Sequence, residues 1–111
     1  MAYKINGENV ELPDPLNIGG VIFVPAGKVT ELLGGYVNWD NATKTAELEL
    51  GSKKAKVTVD SDDVYVGDEV YTLPSPPSMG GGSLWVPLVL FSEVLGANAS
   101  DDGVGNISIS V

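Results

Sequence analysis

Two glutamates, Glu31 and Glu93, stand in matching contexts, "VTELLG" and "FSEVLG". A carboxylate pair is what acid/base work in a small hydrolase could use. Nothing readable around them supplies oxyanion donors or an environment that raises one pKa above the other. Solvated or capping glutamates are therefore the expectation. Asp60, Asp62 and Asp63, with Ser61, offer the hard oxygen ligands that calcium takes. Their spacing is not that of an EF-hand calcium loop, and a plain turn accounts for them. Asp101-Asp102-Gly103 reads as a hairpin turn in the same way.

Aromatic side chains could stack on a sugar. Trp85 sits in an apolar stretch and is expected in the core. Trp39 ends a strand, and with Tyr36 it is the candidate for an exposed aromatic platform. Asn41-Ala42-Thr43, Asn98-Ala99-Ser100 and Asn106-Ile107-Ser108 match the N-glycosylation triplet, which arises by chance in chains rich in Asn, Ser and Thr.

Composition removes most other chemistry. The chain has no histidine and no cysteine. His is the commonest general base and metal ligand, and Cys the main thiol nucleophile. A non-enzymatic chain without catalytic residues, metal or cofactor is expected. Fifteen acids against six lysines give a net charge of −9, and there is no arginine. Phosphate contacts need a basic face, so nucleic acid and anionic membranes are not expected partners. Lys53, Lys54 and Lys56, the one basic cluster, read as a solvated strand face. No apolar run is long enough to span a bilayer, so no membrane insertion is expected. The start, "MAYKING", lacks the features of a signal peptide. The chain is then either cytosolic or a trimmed piece of an exported protein.

What must position these residues is a duplication. Val24, Pro25, Glu31, Leu33, Gly34 and Asp40 recur at one constant spacing as Val86, Pro87, Glu93, Leu95, Gly96 and Asp102. "LPDP" at 12–15 recurs as "LPSP" at 73–76, a spacing shorter by one, so the extra residue falls in the glycine loop. Insertions between copies of a unit belong in loops. Each copy reads as a hairpin, a proline segment, a glycine loop, a short strand, a helix and a closing hairpin. Asn6-Gly7 is a strong hairpin turn because both positions tolerate φ > 0; Gly67-Asp68 is the weaker counterpart. Pro25 and Pro87 are placed at the first helical position. Ala26, Val29, Leu32 and Leu33 form one apolar stripe, and Leu88, Phe91, Val94 and Leu95 the other. Ala46, Leu48, Leu50 and then Ala55, Val57, Val59 alternate as inward-facing strand residues, as do Ile107, Ile109 and Val111.

A copy of about 50 residues is marginal alone, and no linker separates the two. The expectation is an α+β fold in which two β-hairpin/helix/β-hairpin repeats share one core, with short helices packed on an antiparallel sheet. Residues 1–111 form a single domain, with repeats at about 3–50 and 64–111 joined by a strand at about 54–60. The second helix is apolar beyond one stripe. Val89 and Leu90 stand where the first copy has Gly27 and Lys28. They are either buried or a contact surface, and a homodimer through the second helix is one form of that contact.

The carriers Pro15, Val24, Pro25, Glu31, Leu33, Gly34, Trp39, Asp40, Thr43, Lys44 and Thr45, with Pro76, Pro77, Leu84, Val86, Pro87, Leu88, Glu93, Leu95, Gly96 and Ala97, resemble the copper amine oxidase N-terminal domain-like family. The resemblance covers essentially the whole chain. It implies a module of exported and cell-surface proteins of Gram-positive-type bacteria, similar to the stalk domain of some copper amine oxidases. An extracellular or cell-surface location follows. The catalytic part of such oxidases needs copper-binding histidines, so the resemblance implies a non-catalytic accessory, spacer or adhesion module. Its partners would be a protein or a cell-wall polysaccharide; the alternative is a carbohydrate-binding module using exposed aromatics. Three departures stand out. Gly27 and Val89 occupy positions where the family often has arginine, Asp101 replaces the second copy's tryptophan, and the glycine loops lack a polar tip.

Overall fold

The computed structural model describes residues 2–111 and is mostly β-sheet with two short helical segments. The first hairpin joins β1 (Ala2–Ile5) to β2 (Glu8–Val10). Asn6 and Gly7 turn it with φ of 50° and 83°, the pairing of signs that a type I′ turn requires. The glycine loops prove to be hairpin turns themselves. β3 (Leu16–Ile18) folds back on β4 (Val21–Pro25), and β10 (Ser78–Gly80) on β11 (Ser83–Pro87). The remaining strands are β5 (Tyr36–Asp40), β6 (Thr45–Leu50), β7 (Lys53–Thr58), β8 (Asp63–Val66), β9 (Glu69–Thr72), β12 (Asn98–Asp101) and β13 (Asn106–Ser110).

They form three sheets, not one: β12-β13-β1-β2, β10-β11-β4-β3 and β5-β6-β7-β8-β9. The ladders are antiparallel except where β1 meets β13. That pair joins the beginning of the chain to its end, so the connection between its strands is the whole intervening chain and parallel pairing meets no tight-turn constraint. The middle sheet is closed by β4 and β11, where Val24 faces Val86, Phe23 faces Pro87 and Pro25 faces Trp85. One cluster of buried side chains runs from Tyr3 and Val24 through Leu48 and Val57 to Phe91 and Ile109.

The helix α1 (Ala26–Leu32) starts after Pro25, which is still extended at φ −71° and ψ 114° and so caps the helix instead of forming its first residue. Ala26, Val29, Thr30 and Leu33 are buried, and Leu32 is exposed. Six positions on from Ala26, at about 100° per residue, Leu32 comes to the far side of the helix. Thr30 takes its place inside and satisfies its hydroxyl by donating to the carbonyl of Ala26 at 2.8 Å. The helix ends at Gly34, where φ is 90°, the left-handed stop that glycine supplies most easily.

The second helix departs from expectation. Leu90–Val94 is a π-helix, in which Leu95 N–H donates to the Leu90 carbonyl, one residue further back than in an α-helix. The wider turn accommodates an apolar set too broad for one α-helical stripe: Leu88, Leu90, Phe91, Val94 and Leu95 are all buried. Val111 is exposed, just beyond β13, and its N–H is held by the side-chain oxygen of Asn6 at 2.9 Å.

Candidate functional site

Strand parity decides what the aromatics can do. Along β5, residues alternate between the two faces of the sheet. Val37 lies opposite Leu48 and Trp39 opposite Ala46, both buried residues of β6. Tyr36 and Asn38 lie opposite Glu49 and Glu47. Trp39 therefore belongs to the inner face and Tyr36, 73% exposed, to the outer one. The two do not form a single stacking platform, because an odd separation along a strand puts them on opposite sides.

Trp39 is 38% exposed because it forms a wall of a groove of about 390 Å³. Its apolar walls come from four elements, one of them β6 with Ala46 and Leu48. β5 gives Val37 and Trp39, the α1 entry gives Pro25, and the β10–β11 hairpin gives Met79 and Leu84. Lys28 and Glu31 line the helix side with one charge of each sign. Gly27 opens the groove: a Cβ built there meets no atom within 4 Å. Residue 27 lies in the right-handed helix, so the space exists for lack of a side chain and not through an unusual backbone.

The second half differs at these places. Trp39's counterpart is Asp101. It borders a smaller cavity of about 190 Å³ with Pro15, Asn17 and Ile22. Gly27 and Lys28 correspond to Val89, which is half-buried, and Leu90, which is fully buried by the chain's own core. The contact role expected for Leu90 is corrected accordingly: this packing removes it from any surface that a homodimer through the second helix would use.

Trp39 also borders a polar depression of about 430 Å³ on the five-stranded sheet, with Tyr65, Asn38, Glu47 and Lys56. Lys54 and Lys56 each approach Glu47 at 3.8 Å, a solvated ladder of small energetic weight. Trp85 is buried and donates its indole N–H to the Gly80 carbonyl at 3.0 Å. That bond fixes the β10–β11 turn beside the groove.

The carboxylates stay apart. Glu31 stands on the groove's rim, and Glu93 does not border it. Asp60 and Asp62 act through their backbones: Asp60 N–H donates to the Pro77 carbonyl at 2.9 Å, and the Asp62 carbonyl accepts from Leu73 N–H at 2.7 Å. Among the described residues no three acidic, His or Cys side chains gather as a metal would need. Asp102 organises the last turn, accepting from the Asn106 amide group and from the backbone of Val104 and Asn106. These bonds hold its carboxyl below the usual carboxylate range, that of the Asn106 side chain foremost.

Gly27, Met79 and Leu84 escape a reading by residue type, since none bears chemistry alone, and Tyr65 is an aromatic that the reading of Trp39 with Tyr36 left out. The one available signal was the contrast of Gly27 with Val89 across the two halves.

Comparison with known proteins adds two findings. The family description "Copper amine oxidase N-terminal domain" matches residues 4–109. A curated relative, "Protease inhibitor" of Brevibacillus choshinensis, is 30% identical over 107 residues. The match covers 94% of this chain and 33% of that protein, so the chain spans about a third of the length of the curated relative it matches. Among the described residues no helix is long and apolar enough to cross a membrane.

Proposed function

Because the chain belongs to the copper amine oxidase N-terminal domain family, we propose that it is a non-catalytic accessory module of a larger exported bacterial protein, at the cell surface or outside it. It serves as a spacer or adhesion unit and acts by contact with another protein through the Trp39 groove. The observation that carries this reading is the groove itself: apolar walls, a half-exposed tryptophan and two opposed charges. Sites of this make-up capture apolar side chains. The relative's name, protease inhibitor, is one of contact with a protein and supports binding over catalysis.

The test is selection of a displayed random-peptide library on the whole chain, with counter-selection on Trp39→Ala. Enrichment of sequences that need Trp39 is expected. No enrichment, with soluble wall-glycan fragments instead binding the whole chain in calorimetric titration and losing affinity on Trp39→Ala, would favour a carbohydrate-binding module. One observation supports that second reading: Trp39 and Tyr65 border the same polar depression, with Asn38, Glu47 and Lys56 as hydrogen-bonding groups.

We also propose that residues 1–111 are one domain built of two internal repeats, at about 3–50 and 64–111, joined by the strand at about 54–60. Support comes from the shared core and from a radius of gyration of 12.7 Å, against about 13 Å for a compact chain of this length. Residues 1–61 alone lack β11 and β13, the partners of β4 and β1. They should give undispersed amide NMR signals; a well-dispersed spectrum would overturn the shared-core reading.

A further inference from the structure

The edge strand β5 and the groove beneath it point to one mode of binding. Resting on the groove reading above, we propose that the partner is an extended polypeptide segment that adds to β5 as a sixth strand. It sets alternate apolar side chains into the Trp39 groove and carries basic residues at its ends.

The three sheets have six edges: β2, β12, β3, β10, β5 and β9. β2, β3 and β10 are three residues long, and β9 and β12 are four. Prolines flank several of these: Pro13 and Pro15 lie between β2 and β3, and Pro74, Pro76 and Pro77 precede β10. Short strands and nearby prolines are ordinary ways of blunting an edge against other chains. β5 is the longest edge strand, five residues reading Tyr-Val-Asn-Trp-Asp, without proline, glycine or lysine. Among the described residues its ladder partner is β6 alone. One side of its backbone is thus open to strand addition.

The groove lies under this open edge. Val37 and Trp39, next-but-one neighbours in the strand, share its face. A strand added beside β5 repeats that period of two. Its alternate side chains would then descend toward Met79 and Leu84.

Charge selects the occupant. A second copy would bring together two chains of net charge −9 each, a repulsion that opposes self-pairing. The ionised side chain of β5 is Asp40, and its neighbour β6 adds Glu47 and Glu49. Lys54 and Lys56 are already drawn to Glu47. A segment with lysine at its ends complements this edge.

The probe is a nonapeptide of alternating valine and threonine with a lysine at each end. It is titrated into the whole chain, and in parallel into Trp39→Ala, with binding read by calorimetry. Two further peptides carry backbone N-methyl groups in alternate phases. Saturable binding is expected, with at least about tenfold loss for one N-methyl phase and little change for the other, because only one phase faces β5. Glutamate in place of the end lysines should weaken binding at low salt, with the difference shrinking as salt rises. Failure of the unmodified peptide to bind overturns strand addition. Binding that needs Trp39 but ignores both N-methyl phases overturns strand addition while leaving the groove reading intact. Binding indifferent to N-methylation and to Trp39→Ala contradicts both.

Discussion

Val24 and Val86 face each other directly across the β4–β11 ladder, and both are fully buried. They are also counterparts in the two halves of the sequence, and their neighbours cross over: Phe23 meets Pro87, and Pro25 meets Trp85. Strands that are marginal in separate halves complete each other's sheet there.

Truncating either valine should therefore be felt on both sides. Val24→Ala and Val86→Ala should each cost about 2 kcal/mol, from lost burial plus a small cavity. Because the two side chains are neighbours, the double variant should depart from additivity by about 0.5 kcal/mol or more. Denaturant titrations of the four proteins check this; strict additivity would place the valines in independent environments.

Gly35 follows α1 and sets the approach of the helix to β6. A Cβ there would collide with the Glu49 carbonyl oxygen and press on Thr30 Cγ2 at 2.9 Å. Backbone cannot yield as a flexible side chain can, so Gly35→Ala should destabilise by roughly 1–3 kcal/mol. Equal melting temperatures for variant and wild type would contradict this contact.

Leu90 tests the packing of the π-helix. Leu90→Lys buries an ammonium among Phe91, Val94 and their neighbours and should cost a few kcal/mol. The mass in sedimentation should not change. A variant with wild-type melting and altered association would restore the contact surface that the structure removes.

Much of this architecture was legible in the sequence. The hairpin turn at Asn6-Gly7 and the alternating inward residues of β6 and β7 (Ala46, Leu48, Leu50, Ala55 and Val57) follow from local chemistry. The middle sheet was only partly legible. β3 and β10 are three residues long, too short for periodicity to register. The π-turn at Leu90–Val94 was hidden because its apolar set is also what a buried α-helix or a contact helix would show. The groove was hidden for another reason: its walls come from four separated segments, and its opening depends on an absent side chain at Gly27.

Tyr3 gives an alkaline signature. Its hydroxyl donates to the Pro13 carbonyl at 2.8 Å. Burial, with the nearby Asp14 charge adding to it, pushes its pKa up to about 12 from the ordinary 10.0. The folded protein then holds the phenol proton more tightly than the unfolded chain. Stability is retained below pH 10 and should fall by on the order of 2 kcal/mol as pH rises from about 10 to 12. Tyr3→Phe should flatten that part of the stability profile; an unchanged slope would assign it to other groups.

Binding in the groove depends on the open space at Gly27, which Gly27→Leu would fill. The site is helical and open, so the substitution should leave the fold intact and, by removing a glycine from the first turn of the helix, raise stability by up to a few tenths of a kcal/mol. The new side chain should fill the groove beside Trp39. Peptides selected on the wild-type chain should then lose measurable binding, as followed by calorimetric titration. A Gly27→Leu protein that melts at or above the wild-type temperature and no longer binds those peptides is the expected result; the same protein binding them with wild-type affinity would contradict binding in the groove.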